Sequence, residues 1–184
     1  MDTGVRELNF ILIGIPGSGK STLGKKAADA LGMKFYDTDT AASGHVHSEK
    51  KASTFSQFAS EFVKAEKVVV REIAKSAENA IIATGAETAL FEYNVQVLRP
   101  IGRFIYIKRD PDRMLEEIQK EFVPDPEALN AHDVRELMVH IYRDKIPEYE
   151  NLADLIVEND GDEAAGLEKL TKLIRSEQNP GGNS

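Results

Sequence analysis

The sequence predicts an α/β fold in which a parallel sheet is covered by helices on both faces, and three observations carry that expectation. Five short apolar runs alternate with stretches of helical periodicity along the 184 residues, the pattern of βαβ units. The runs are continuous rather than alternating, as in strands buried on both faces. The first run, Leu8–Ile13, leads directly into Gly14-Ile15-Pro16-Gly17-Ser18-Gly19-Lys20-Ser21-Thr22 and then into a helical stretch, the strand, glycine-rich loop and helix of a phosphate cradle.

Taken in order, Leu8–Ile13 is too short for a helix and reads as a central strand. From Lys20 to Leu31, apolar Leu23, Ala27, Ala28 and Leu31 recur at helical spacing, and Gly32 supplies the stop. Met33–Tyr36 is a short second strand that runs into Asp37-Thr38-Asp39, placing both carboxylates just past its end on an extended segment. Residues 40–53 are small, polar and histidine-bearing, and read as a loop. Thr54 is a cap for a long helical region with an apolar face of Phe55, Phe58, Phe62, Val69, Val70 and Ile73, with a break near Ser60. Ala80–Gly85 is the third strand and Thr88–Leu98 a modest helix, while Pro100 and Gly102 turn the chain into a fourth strand, Arg103–Lys108. Asp110-Pro111 opens a helix to about Glu121, proline suiting the first helical position. Phe122–Asp133, with Pro124, Pro126 and several acids, is the candidate flap. Val134 to about Ile146 is helical, Asp154–Glu158 is the last strand, and Glu163–Ser176 is a terminal helix with Leu167, Leu170, Leu173 and Ile174 inward. One domain is expected over 1–178, with a disordered tail at 179–184.

Composition narrows the class. Hydrophobic residues at 41% and charged ones at 29% describe a globular protein long enough to bury a sizeable core. The formal net charge of −8 argues against a surface for nucleic-acid backbone. There is no cysteine, so disulfides and thiolate metal sites are excluded. No apolar run reaches the length of a membrane span, and a cytoplasmic protein without membrane or nucleic-acid partners is expected, as a monomer or weak dimer.

The chemistry converges because ligands bind at the carboxyl ends of parallel strands. Gly14, Pro16, Gly17, Ser18, Gly19, Lys20, Ser21 and Thr22 form the nucleotide-binding loop, in which backbone amides and Lys20 meet phosphates and the Ser21 hydroxyl meets Mg²⁺. Asp37 is the second candidate Mg²⁺ holder, and Asp39 can take the proton of an acceptor hydroxyl. The plainer reading of Asp37 and Asp39 is a turn or cap after a strand. The donor is expected to be ATP with Mg²⁺, and the acceptor a small molecule.

Other clusters are weaker. His45 and His47 lack a third ligand at a sensible spacing, and His132 and His140 read as structural. Lys108, Arg109, Arg113 and Lys120 suit either a nucleotide contact or a solvated face, and Glu61, Lys64, Glu66 and Lys67 suit helical ion pairs.

The order of these parts resembles the shikimate kinase family. The likeness spans about Leu8 to Glu158: the phosphate loop, Phe35–Asp39, Phe62 with Glu66, Ile81–Gly85, Phe104–Ile107 and Tyr149–Asp154. It implies a three-layer α/β/α fold of the nucleoside-monophosphate-kinase type, with a five-stranded parallel sheet and a short lid at about 122–133. It also implies Mg²⁺ at Asp37 and an acceptor hydroxyl at Asp39, with Lys64, Gly85, Ala86 and Lys145 on the substrate side. The departures fall on that side. Val63 stands where the family has an arginine for the substrate carboxylate, and Gly85-Ala86-Glu87 replaces a triple glycine. Lys145, with Arg143 two residues earlier, replaces a second arginine, and 122–133 holds no basic residue where the family has a lid arginine. Lysine does not reproduce the two-pronged grip of arginine on a carboxylate. The expectation is therefore a phosphotransferase of this type acting on a small-molecule hydroxyl, with the acceptor left open and pointing away from shikimate. A nucleotide kinase and a weakly hydrolysing nucleotide-binding regulator are the alternatives.

Overall fold

The computed structural model describes residues 8–48, 55–112 and 131–180. Five strands, β1 (Asn9–Ile13), β2 (Lys34–Asp37), β3 (Ala80–Ala83), β4 (Gly102–Lys108) and β5 (Leu155–Glu158), form one sheet in the order β2-β3-β1-β4-β5. Every pairing is parallel. The chain leaves β1 toward one edge and later returns across it to the other, so β1 lies at the point where strand order reverses and a crevice opens beyond its carboxyl end.

The apolar runs explain the layers. Successive residues of β1 face opposite sides. Phe10 and Leu12 pack with Leu23, Ala27 and Ala28 of α1 (Lys20–Leu31) and with Leu170 and Ile174 of α6 (Glu163–Gln178). Ile11 and Ile13 pack on the other side with Ala42 of α2 (Thr38–Ser48), Val69, Val70 and Ile73 of α3 (Phe55–Ser76), Leu98 of α4 (Glu92–Leu98) and Tyr149 of α5 (Ala131–Leu152). All five residues of β1 are buried, each large apolar one stabilising the fold by about 1.5–3 kcal/mol. This is the three-layer arrangement expected.

Asn9 is the polar exception in that strand. Its Nδ2 donates to Ala77 O (3.0 Å) and Ile101 O (2.9 Å), and its Oδ1 accepts from Ala80 N (3.0 Å), so one side chain ties β1 to the segments on both sides.

Several expectations are corrected. Residues 38–48 form α2 rather than a loop, because Ala42 is packed against the core and Asp37 Oδ1 accepts from Thr40 N (2.8 Å), capping the helix. Helix α3 runs unbroken through Ser60, while Thr54 lies outside the described residues. The stretch from Thr88 divides into a 3₁₀ turn (Thr88–Leu90) and α4, with Phe91 extended between them (φ −73, ψ 120). Helix α5 begins at Ala131, ahead of Val134, and continues past Ile146 with Pro147 inside it. Burial of Tyr149 and packing of Leu152 outweigh the one hydrogen bond that proline removes. The helix expected from Asp110 is described only to Asp112; the lid segment 122–130 and the tail residues 181–184 lie outside the described residues.

Candidate active site

The loop after β1 takes its shape from three glycines in the positive-φ region: Gly14 (147°), Gly17 (74°) and Gly19 (95°). A side chain at Gly14 would press on Ile107 O, 2.7 Å from its Cβ. The left-handed residues at Gly17 and Gly19 turn the backbone into the concavity that binds anions at a helix start. Lys20 opens α1 and is only 7% exposed. Its ammonium donates to Gly14 O and Ile15 O, both at 2.9 Å. Burial pulls its pKa down to about 8, with Asp39 and then Asp37 drawing it back up.

Two further residues brace this loop: Arg109, expected either at a nucleotide contact or on a solvated face, and Asn159, which sequence reading left out. Arg109 Nη1 donates to Gly17 O (2.9 Å), and Asn159 Nδ2 donates to Ser18 O (2.8 Å). Arg109 follows β4 and Asn159 follows β5, so the rule used for β1–β3, that sites form at carboxyl ends of parallel strands, would have found both. Asn159 Oδ1 is buried with no protein partner.

On the acceptor side, Thr38 begins α2 directly after Asp37, so Asp39 lies in the first helical turn and the segment is not extended. Asp39 is open to the cleft, but the surrounding protein raises its pKa first by desolvation and then through Asp37, opposed by Lys20. Its carboxylate lies where a Gly85 Cβ would be, so only glycine permits this approach.

The turn from Gly85 to Thr88 is fastened by four elements. Gly85 N donates to Thr38 Oγ1 (3.0 Å), and Tyr149 Oη donates to Ala86 O (2.6 Å). Lys145 pairs with Glu87 (2.5 Å), Thr88 Oγ1 donates to Glu66, and Asn94 Nδ2 donates to Thr88 O (2.9 Å). Glu66 is 5% exposed, and desolvation raises its pKa, with Asp39 and Glu87 adding to the shift. Tyr149 also stacks on Tyr106 at 5.4 Å, and Tyr106 lies against Gly14, linking the two walls.

Between the walls lies a cleft of about 590 Å³ lined by Pro16, Gly17, Gly19, Lys20, Ser21, Thr22, Asp39, Thr84 and Ala86, with Arg109 and Asn159 at the side. The structure therefore brings the phosphate loop and Asp39 together. Gly14 and Ser18 are buried behind the loop, and Gly85 is buried beneath the acceptor turn. Asp37 lies in the neighbouring groove, which Ser21 also borders. Lys64 is exposed on α3 and does not line the cleft. Lys145 stands behind Ala86, bound to Glu87; the side chain of Glu87 is 68% exposed, so it is not buried beside an acceptor.

Among the described residues, no three His, Cys, Asp or Glu side chains are grouped to hold a metal by themselves. A magnesium ion does not need such a cage, since it is held by one or two carboxylates together with substrate phosphates. Ser21 at the helix start with Asp37 across the groove fits that requirement. Among the described residues, no helix is long and apolar enough to cross a membrane.

Comparison with known proteins gives the family and the fold. The profile of the shikimate kinase family matches residues 16–175. A shikimate kinase from Francisella tularensis subsp. novicida is 30% identical over 163 residues, covering 85% of this chain and 88% of that protein. The fold is shared with a solved shikimate kinase from Bacteroides thetaiotaomicron (TM-score 0.75, 22% identity, 92% of this chain and 99% of that one). It is shared too with one from Acinetobacter baumannii in complex with shikimate (TM-score 0.70, 22% identity, 94% and 95%). With a phosphate loop and a carboxylate facing one cleft, and a matching profile over most of its length, the chain belongs to the shikimate kinase family and is an ATP-dependent kinase that phosphorylates a small-molecule hydroxyl.

Proposed function

We propose that the reaction runs in the cleft between the 14–22 loop and the 85–88 turn, with Lys20 and Asp39 as the catalytic pair. One observation carries this reading: Lys20, from the phosphate loop, and Asp39, from the start of α2, line the same cleft from opposite walls. In it, Gly14, Pro16, Gly17, Ser18, Gly19, Ser21 and Thr22 shape the loop that cradles the phosphates of ATP. Lys20 leaves Gly14 O and Ile15 O to meet the terminal phosphate. Ser21 and Asp37 hold Mg²⁺, which supplies charge neutralisation on the phosphates. Asp39 orients the acceptor hydroxyl and takes its proton, a contribution of about 10²–10⁴ in rate. Gly85 and Ala86 form the acceptor wall, with Lys145 behind them; the exposure of Lys64 speaks against the contact expected for it. The acting unit is a single domain over 1–178, a monomer or weak dimer in the cytoplasm.

Shikimate, present in the Acinetobacter enzyme, is the first acceptor to try, followed by other hydroxylated metabolites. ADP release is measured for the wild type, Lys20→Ala and Asp39→Asn. An acceptor that raises release in the wild type only, while Asp39→Asn still binds ATP, supports the assignment. If no acceptor raises release above the water background although ATP binds, the reading is wrong and a weakly hydrolysing regulator takes its place.

A further inference from the structure

Lys145 is the cation nearest the acceptor wall that sequence reading singled out, and it is already occupied. Its ammonium lies 2.5 Å from Glu87 Oε1, and its side chain is 24% exposed. Glu87 directly follows Ala86, a residue of the cleft wall whose carbonyl is fixed by Tyr149. Among the described residues, the other charged side chains around that turn are acidic, while Arg109, at the side of the cleft, is held on Gly17 O. Asp39 faces the cleft, Glu66 is buried behind the turn and interacts with both Asp39 and Glu87, and Asp37 stands beside Asp39. Lys20, across the cleft, is oriented into the phosphate loop.

A hydroxylated acceptor that carries a carboxylate would meet this wall at a disadvantage. It would have to displace Glu87 from Lys145 or stand unpaired near like charges, which is unfavourable where solvent is partly excluded. An acceptor without an anionic group meets neither obstacle.

We propose that Glu87 is a specificity filter: it occupies Lys145 as an internal carboxylate, so that the kinase prefers an uncharged hydroxylated acceptor over a carboxylate-bearing one. The proposal rests on the reading of the cleft as the site of phosphoryl transfer. The Glu87 carboxylate does for Lys145 what an acceptor's own carboxylate would otherwise do, and an ion pair as exposed as this adds little to stability.

The test compares shikimate, a hydroxylated carboxylate, with its uncharged methyl ester. ADP release gives kcat/KM, and calorimetric titration of the enzyme holding a non-hydrolysable ATP analogue gives binding. In the wild type the ester has the higher kcat/KM and the lower Kd. In Glu87→Gln, which frees Lys145, both parameters improve about fivefold for the carboxylate relative to the ester, the gain expected from one partly exposed ion pair, with the KM for ATP unchanged. In Glu87→Gln/Lys145→Met the gain is lost. The filter is overturned if the carboxylate is already preferred in the wild type, if Glu87→Gln favours both compounds equally or neither, or if neither compound binds to either protein. Binding of the ester without ADP release overturns the phosphoryl-transfer reading alone and leaves the filter standing on the binding data.

Discussion

Lys20→Met isolates the consequence of burying an ammonium inside the phosphate loop. In the unfolded chain Lys20 titrates near 10.5, and in the ligand-free fold near 8, chiefly because burial disfavours its charge. Below pH 8 the group is charged in both states and the fold bears the full cost. Between pH 8 and 10.5 the unfolded chain binds more protons than the fold, so stability rises with pH. For a single site shifted from 10.5 to about 8, this relief between pH 7 and pH 10 is about 2–3 kcal/mol. The methionine variant lacks the group and so lacks that rise, although it also leaves Gly14 O and Ile15 O without their donor. The informative quantity is therefore the change with pH in the stability difference between the two proteins. Urea titrations at pH 7 and pH 10 should show that difference moving by about 2–3 kcal/mol in favour of the wild type, or roughly 5–10 °C in melting temperature. Phosphate binding restores the charged form, so wild-type affinity for ATP should fall about tenfold between pH 7 and pH 9. Parallel stability curves for the two proteins, or a flat ATP affinity, would refute the buried-charge account.

Substitutions at three further positions probe other parts. Gly85→Ala places a methyl group on the Asp39 carboxylate and 2.6 Å from Thr88 Oγ1; ADP release should drop at least about tenfold by the misplacement of one catalytic group, while far-UV circular dichroism stays that of the wild type. Asn9→Leu removes a donor from two carbonyls and an acceptor from Ala80 N in the buried sheet, so the urea midpoint should fall by the equivalent of about 3 kcal/mol, whereas Asn9→Asp should lose more. Asn159→Ala frees Ser18 O and should raise the KM for ATP about three- to tenfold with kcat little changed, since it removes about 1 kcal/mol of loop bracing; equal losses in kcat and KM would place Asn159 in the chemical step instead.

How far the sequence could be read depends on whether the governing force was local. Leu8–Ile13 and Gly14–Thr22 were legible because a continuous apolar run and a glycine spacing leave few alternatives. Gly32 ends α1 in the left-handed conformation expected of a C-terminal glycine. Residues 40–48 were misread because small and polar side chains give almost no helical periodicity; the helix is fixed by the Asp37 cap and by α3 packing on Ala42, which is tertiary information. The helix expected to end at about Ile146 runs on for the same reason, the intrinsic penalty of Pro147 being smaller than the burial of Tyr149. In the candidate site, motif and strand ends were enough to expect Lys20, Ser21 and Asp39, which the fold brings to one cleft. The Lys145–Glu87 pair and the braces from Arg109 and Asn159 join residues 58 to 141 positions apart, and no local pattern encodes such pairings.

The Asn9 side chain also has a meaning in time. It belongs to the first of the five sheet strands in chain order, but its three partners lie 68, 71 and 92 residues downstream. The central strand is thus made first and completed last, since neither neighbour exists until β3 and β4 have been synthesised. Long-range closures of this kind slow folding. Because Gly14 takes its position against Ile107 O, a nascent chain shorter than β4 has the phosphate-loop residues without the wall that shapes them. Nucleotide capture is thereby deferred until β4 has been translated.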